Sequence, residues 1–440
     1  MNPLRTVCLL MGIFALACAN SGPKSMNSMY SSRNSIKNSL KPTDWLSTSE
    51  LESLPSLNEL SLEKLERMSV EEGADLLNKL YHLTQVSENF EPSFAPKPSE
   101  IQAQLITPNN QKINFKLNEL PKIAKEQKEF GEQEVTIFIT GLPQKTETIK
   151  KATRKLVQAY MQRYNGDAPE PSNNKYEDDS SEKRNPSSSE EDYSTSWKSK
   201  SNKPSGSLVV IDLGSSMPNF KAYTTLDVEQ TGAKIGDVLV QLTDKADVAQ
   251  ETIHVIGSNI GAHVAGAAAR QFTRETGHQL RRVTGLDPSK IYAKKSQSLT
   301  GLARGDAEFV DAIHSSAYGM GAPTRCGDVD FYPNGPSDGV PGADNVVEAS
   351  MRAVRYFAES VVPGNERNFP AVGATSLKEY KNQNGNGKRV YMGISTEYDV
   401  EGDFVLQVNA KSPFGRQTPA QKQQNYHSIH KPWKMSSRDY

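Results

Sequence analysis

Apolar positions in this chain fall into two alternating patterns. Three runs are apolar at almost every position and rich in β-branched residues, namely "EVTIFITGLP" from Glu134, "SLVVIDLGS" from Ser207 and "HVIGSNIG" from His254. Runs of this type are typical of parallel strands buried on both faces. Helical spacing separates them over Glu147–Tyr164 and Ile235–Leu242. The alternation predicts an α/β fold in which helices flank a mostly parallel central sheet.

A helical N-terminal extension precedes the α/β body, which begins at about Ile101. Between Asp44 and Val86, capping residues alternate with helical spacing, so we expect short amphipathic helices. Stripes of this kind usually pack on a core, and a partner-binding helix is the alternative. Capping the sheet, covering a pocket and mediating association are all compatible with the pattern. The apolar positions on the two faces are Leu62, Leu65 and Met68, then Leu76, Leu77, Leu80 and Leu83.

The two ends of the chain differ from the body. Residues 1–19 have the basic residue, the apolar core and the small-residue Ala17-Cys18-Ala19 site of a secretory signal peptide. A membrane anchor is the alternative, which the short apolar run disfavours. We therefore expect a secreted chain with a partly helical extension over residues 20–100, a body over 101–416 and a polar tail over 417–440.

Charge and cysteine usage exclude several kinds of partner and site. The formal net charge is −1, and loss of Arg5 with the signal peptide changes it from −1 to −2. This near balance gives no reason to expect nucleic acid or an anionic membrane as a partner, and no later stretch is apolar enough for membrane insertion. Cys326 is the single cysteine outside the signal peptide, so we expect no internal disulfide and a buried, inert thiol. We predict no cofactor and no metal site.

A compositional break over residues 166–206 interrupts the body. This segment is Ser-rich, acidic and almost free of aliphatic residues, so it cannot bury enough apolar area to offset the entropy of ordering it. We expect a disordered acidic insertion between two strands. A solvated linker without modification is one interpretation, and modification of a secreted acidic segment is the other. The candidates are Tyr176 and Tyr193 for sulfation, and Ser180, Ser188 and Ser189 for phosphorylation.

The stretch "HVIGSNIGAH" is the part of the sequence that bears most directly on catalysis. A strand, a turn flanked by Gly257 and Gly261, and a small-residue helix match the G-x-S-x-G elbow of an α/β-hydrolase, in which the central serine is the nucleophile. Here the central residue is Asn259. Because an amide is not a nucleophile, the pattern predicts a hydrolase scaffold without hydrolase chemistry.

Four motifs occur in the order and spacing of the pancreatic-lipase family, which includes lipoprotein lipases and secreted phospholipases A1. They are "HVIGSNIGAH", "GLDPS" from Gly285, "FVDAIHSSA" from Phe309 and "DFYPNG" from Asp330. The likeness runs from about Ile101 to Arg416 without the insertion. It implies an α/β-hydrolase fold and allows the catalytic positions to be compared one by one.

The resemblance implies a vestigial triad. Asn259 stands at the position of the family's nucleophilic serine, and Asp287 at that of the acid. The run "EASMRAVRYFAES" places Ser350 on the catalytic histidine. We expect Asp287 to be satisfied by backbone donors, with ligand binding as the alternative, and His263 and His314 to be structural. The chain is therefore not expected to be an enzyme.

Further departures affect the oxyanion hole and access to the site. The family's His-Gly-aromatic loop is replaced by Thr140-Gly141-Leu142, although the backbone amide of Ile260 could survive as an oxyanion donor. The lid is reduced to the few residues between Gly342 and Glu348, and the family's C-terminal β-sandwich has no counterpart.

This combination resembles the lipase-related yolk proteins of higher flies, which serve as vitellogenins. The resemblance implies secretion into the haemolymph, uptake through an oocyte receptor of the low-density-lipoprotein receptor type, and storage in yolk granules as embryonic nutrient. The sequence leaves open whether the chain associates with itself or with related yolk proteins. A carrier of a small apolar ligand, such as a steroid conjugate or an acyl lipid, is the alternative. A third hypothesis is an esterase with residual activity.

Overall fold

The computed structural model describes residues 54–86, 91–107, 109, 111–127, 129–165, 205–292, 301–316, 319–322, 324–335, 339–374 and 389–416. The signal peptide, the C-terminal tail and all five predicted modification sites lie outside these residues. Within the described ranges, no helix is both long enough and apolar enough to cross a membrane.

The part of the N-terminal extension that the structure describes contains two helices, α1 over Leu62–Glu66 and α2 over Val70–Val86. A capping box starts α2, because the Ser69 amide donates to Glu72 Oε2 at 3.0 Å and the Glu72 amide donates to Ser69 Oγ at 3.2 Å. The predicted apolar faces pack on the body, with Leu65 and Leu77 fully buried in its core. Both helices contact the last long helix of the body, α8 over Val346–Val361.

The body alternates strands and helices after an opening hairpin. Its strands are β1 Gln102–Ile106, β2 Lys112–Lys116, β3 Glu134–Ile139, β4 Gly206–Asp212, β5 Ile253–Ser258, β6 Arg282–Leu286, β7 Phe309–Ile313, β8 Val329–Pro333, β9 Pro370–Gly373, β10 Arg389–Tyr391 and β11 Gly402–Leu406. Its helices before α8 are α3 Leu120–Glu126, α4 Glu147–Asn165, α5 Phe220–Thr224, α6 Val228–Ala246 and α7 Ile260–Thr276.

The eleven strands of the described residues form one sheet in the order β10-β9-β11-β8-β7-β6-β5-β3-β4-β1-β2. Pairing is parallel from β11 through β4 and antiparallel at both edges. Every residue of β5, β6, β7 and β8 is buried, as expected of central strands covered by helices on both faces. The predicted α/β-hydrolase architecture with a mostly parallel sheet is confirmed.

Two boundaries differ from the sequence predictions. Helix α6 begins at Val228 rather than Ile235, because Asp227 caps it by accepting the Gln230 amide at 2.9 Å. Strand β4 begins at Gly206, so the last residue of the predicted insertion belongs to the strand.

Candidate functional site at the strand-to-helix elbow

The turn between β5 and α7 keeps the backbone of a nucleophile elbow. Asn259 sits alone between them with φ 54° and ψ −122°, a conformation that is costly for a residue with a side chain. A Cβ on Gly257 would lie 2.2 Å from the Gly261 carbonyl oxygen, and one on Gly261 would lie 2.6 Å from the Ile139 oxygen. Both glycines are therefore required by close backbone approach, and the strained turn is retained.

The Asn259 side chain is fully buried and bonded to three neighbours. Its Oδ1 accepts the Tyr223 hydroxyl at 2.6 Å and the Ile260 amide at 3.0 Å, and its Nδ2 donates to Ser350 Oγ at 3.2 Å. The Ile260 amide is the donor that an active family member would turn toward an oxyanion. In this chain that amide instead donates to Oδ1 of Asn259.

Asp287 follows β6 and connects the ends of two neighbouring strands. Its Oδ1 accepts the amides of Ser315 at 3.0 Å and Ser316 at 2.7 Å, and its Oδ2 accepts the Ser316 hydroxyl. Burial raises the pKa of Asp287, and hydrogen bonds from Ser316 and Ser350 oppose this rise. Ser315, whose amide donates to Asp287, also donates its hydroxyl to the Ser350 carbonyl oxygen at 3.3 Å, and Ser350 Oγ accepts Asn259 Nδ2. The three positions predicted as a vestigial triad therefore lie together.

The start of α8 holds Ser350 in place. Asn345 caps the helix by accepting the Glu348 amide at 2.9 Å. One turn further, the Arg352 guanidinium donates to the Ala410 carbonyl at 3.0 Å and to the Gly342 carbonyl. These bonds fix the helix start on which the serine lies, and Ser350 itself is fully buried.

An aromatic cluster, defined as Tyr81, Phe220, Tyr223 and Tyr292, covers Asn259. Ring centroids are 5.7 Å apart between Tyr81 and Tyr292, 5.5 Å between Phe220 and Tyr292, and 5.4 Å between Phe220 and Tyr223. Tyr81 belongs to α2, so the N-terminal extension reaches the site through Tyr292 and Tyr223. Sequence reasoning missed this cluster, because its members come from three separate parts of the chain.

Lys290 is a further residue that sequence reasoning missed. It is 7% exposed, and its Nζ donates to the Gly319 carbonyl. Burial lowers the pKa of Lys290 to about 8, while the carboxylate of Asp287 acts in the opposite direction. The residue follows directly on the "GLDPS" motif, which was the one available signal.

The two histidines near the motifs are bonded away from Asn259. His263 Nε2 lies 2.7 Å from the Ser289 carbonyl oxygen, and its Nδ1 accepts the Leu302 amide at 3.0 Å. Burial lowers the pKa of His263 to about 4, so its ring is neutral. His314 Nε2 lies 2.7 Å from Asp330 Oδ1, and this aspartate also contacts Cys326.

Ser258 is likewise engaged outside the vestigial triad. Its hydroxyl accepts the Gly141 amide at 3.3 Å, which connects the elbow to the loop after β3. A Cβ on Gly141 would lie 2.0 Å from the Ser258 carbonyl oxygen, so this loop position also requires glycine. The neighbouring serine is therefore directed toward the loop backbone.

Comparison with known proteins gives a family. Residues 109–414 match the family model described as Lipase. Vitellogenin-2 of Ceratitis capitata is 55% identical over 98% of both chains, and Vitellogenin-1 of the same fly is 56% identical over 99% of this chain and 98% of its own. Vitellogenin-3 of Drosophila melanogaster is 52% identical over 91% of this chain and 95% of its own.

Two more distant matches complete the comparison. The human inactive pancreatic lipase-related protein 1 is 30% identical over 35% of this chain and 37% of its own. An arylesterase structure covers 73% of this chain and 87% of its own with 8% identity, at a TM-score of 0.23 that is too low to support any inference. The fold, the retained elbow and the family match agree: the chain belongs to the lipase family, in which it is similar over nearly its full length to the vitellogenins of flies.

Proposed function

We propose that this chain is a secreted yolk storage protein without catalytic activity, taken up by the oocyte through a receptor and used as embryonic nutrient. The observation that carries the proposal is the hydrogen-bonded Asn259 at the nucleophile position of a chain that is similar end to end to fly vitellogenins. A storage protein must be soluble, abundant and chemically inert, and loss of a nucleophile is consistent with that role.

The magnitude of the loss argues against residual hydrolysis. Removing the serine or the histidine of a triad lowers kcat by a factor of about 10⁶. A rate enhancement of about 10³ to 10⁴ over the uncatalysed reaction can remain, because the oxyanion hole and substrate binding still act. In this chain both residues are replaced, and the Ile260 amide already donates to Asn259 Oδ1 at 3.0 Å. The residual rate enhancement from the oxyanion hole should therefore also be lost.

Ester hydrolysis tests this part of the proposal. We expect the purified chain to hydrolyse a soluble ester and an emulsified triacylglycerol no faster than buffer, with an active pancreatic lipase as the positive control. The matched variant is Asn259→Ala, which should give the same background rate. A rate above background that disappears in this variant would establish a residual esterase instead.

The aromatic cluster counts against the carrier alternative. A small apolar ligand at the vestigial pocket would have to displace the Tyr223 hydroxyl from Asn259 and separate the packed rings of Tyr292 and Phe220. Native mass spectrometry of the purified chain decides the point. We expect no additional non-covalent mass, and a defined bound ligand would restore the carrier role.

Secretion, modification and receptor uptake are predictions that rest on the sequence and on its resemblance to yolk proteins. Intact-mass measurement of the secreted protein should give a chain that begins at Asn20. Peptides from residues 166–206 should carry added sulfate or phosphate groups at some of the five candidate positions. The proposed partner for uptake is an oocyte receptor of the low-density-lipoprotein receptor type. An unmodified chain that retains Met1 would contradict secretion.

A further inference from the structure

Three side chains with metal-binding atoms meet where β7 ends and β8 begins. They are His314, which follows β7, Asp330 in β8, and Cys326 in the loop that leads into β8. Their ligand atoms all lie within 4.8 Å of one another. His314 Nε2 is 2.7 Å from Asp330 Oδ1, and Cys326 Sγ is 3.7 Å from the same oxygen. The sequence predicted no metal site here.

The three side chains differ in how far they are exposed to solvent. His314 is 3% exposed and Asp330 is fully buried. Cys326, which the sequence predicted to be buried, is a free thiol that is only half-buried. Thr324 and Arg325, which directly precede the cysteine, are exposed, so Cys326 lies on the side of the cluster that is nearest to solvent.

Neighbouring groups already orient these ligands. The Ala322 carbonyl lies 3.2 Å from His314 Nδ1, which turns Nε2 toward Asp330. The Tyr332 ring stacks on the imidazole with centroids 4.8 Å apart and planes 12° apart. Asp330 is held by the Cys326 and Gly327 amides, each at 3.1 Å. Metal-binding histidines are usually oriented in this way, with the second ring nitrogen bonded to a carbonyl or carboxylate.

We propose that His314, Cys326 and Asp330 bind one Zn²⁺ ion, with a fourth position open to water. Imidazole nitrogen, thiolate sulfur and carboxylate oxygen are the ligands zinc takes in proteins, at about 2.0–2.3 Å. Tetrahedral ligands at those distances lie about 3.3–3.8 Å apart. The 3.7 Å distance between Cys326 Sγ and Asp330 Oδ1 already fits this range. The 2.7 Å distance between His314 Nε2 and Asp330 Oδ1 must lengthen, and Cys326 Sγ must move toward the imidazole.

Charge balance permits zinc at this buried site. Zn²⁺ with a neutral imidazole, a carboxylate and a thiolate sums to zero, so no uncompensated charge is buried in the loaded site. Binding displaces the thiol proton and any proton on the ligating imidazole nitrogen, so it should release protons.

The test uses the full-length secreted protein after dialysis against a chelator. We expect calorimetry to show one Zn²⁺ bound per chain with proton release, and Co²⁺ to give the near-ultraviolet absorption of a cobalt–thiolate bond together with the visible bands of a tetrahedral ion. The variant Cys326→Ala should abolish the cobalt–thiolate band and weaken Zn²⁺ binding by at least about tenfold.

Two controls separate this site from other causes. His427 and His430 lie three residues apart in the C-terminal tail and could bind zinc independently. The double variant His427→Ala, His430→Ala removes both and should leave the Cys326-dependent binding unchanged. Thermal unfolding of Cys326→Ala without metal should match the parent chain, since a half-buried thiol is replaced by a smaller apolar group. Absence of the cobalt–thiolate band, or equal Zn²⁺ affinity in parent and Cys326→Ala, overturns the proposal.

Discussion

Asn259 connects three buried groups through a single amide. It forms hydrogen bonds with the Tyr223 hydroxyl, the Ile260 amide and the Ser350 hydroxyl. Its backbone is held at φ 54°. The motif around it could be predicted from the sequence because its residues are consecutive. The partners Tyr223 and Ser350 could not, since their approach depends on how α5 and α8 pack.

Truncating Asn259 should therefore destabilise the fold. We expect Asn259→Ala to lower the free energy of unfolding by about 2–4 kcal/mol, because several buried polar groups lose a partner. Tyr223→Phe removes one of the three bonds and should cost about 1 kcal/mol. Chemical denaturation of both variants gives the values. Equal stability of Asn259→Ala and the parent chain would show that these bonds contribute nothing.

Lys290 should destabilise the protein at neutral pH. Its folded pKa of about 8 lies below the ordinary lysine value of 10.5, so the unfolded chain binds more protons between these values and stability rises with pH there. Replacement by an apolar residue removes the cost of burying the charge.

We expect Lys290→Met to raise the free energy of unfolding at pH 7 by up to about 3 kcal/mol. The advantage over the parent chain should shrink as the pH rises from 8 toward 10.5, because the folded-state amine is then neutral in the parent as well. Denaturation of both chains at pH 7 and pH 10 makes the comparison. A gap that does not change with pH contradicts this account.

Helix α2 takes a position that spacing alone could not define. The sequence predicted an amphipathic helix and left three roles open. The contact of Tyr81 with Tyr292, and of Tyr292 with Tyr223, joins this helix to the cover of the vestigial site. By contrast, β3, β4 and β5 were predictable because continuous apolar runs specify central parallel strands locally. The short edge strands β9 and β10 carry no such signal.

Removing the Tyr81 ring should loosen this cover. We expect Tyr81→Ala to lower the free energy of unfolding by about 2–3 kcal/mol, since it truncates a packed aromatic side chain. The variant should also increase the fluorescence of an environment-sensitive apolar dye. Tyr81→Phe keeps the ring and should behave like the parent chain in both measurements. Unchanged dye binding in Tyr81→Ala would show that the helix does not cover the site.

At the scale of the whole molecule, two of the described histidines, His254 and His263, are buried and must stay neutral. Burial lowers the pKa of His263 to about 4 and that of His254 well below its ordinary value of 6.5. Between those pH values the unfolded chain binds more protons than the folded one. Their contribution to stability is thus complete above pH 6.5 and is lost as the pH falls through the folded-state values.

The protein should accordingly become less stable in mild acid. From pH 6.5 to pH 4, His263 alone should remove about 3 kcal/mol from the free energy of unfolding. His263→Gln cannot take up a proton and should show a shallower decline than the parent chain. Thermal unfolding of both proteins across this range supplies the test, and parallel pH profiles would contradict the assignment.

Uptake by oocytes tests most directly whether this lipase scaffold serves as yolk. Fluorescently labelled protein is applied to fly ovarian follicles with and without an excess of the unlabelled chain, and a labelled pancreatic triacylglycerol lipase serves as the matched control. The account predicts saturable uptake of this chain, suppressed by the unlabelled competitor, with intact protein in yolk granules. Entry that is not suppressed by competitor, at the level of the control lipase, would contradict a storage role.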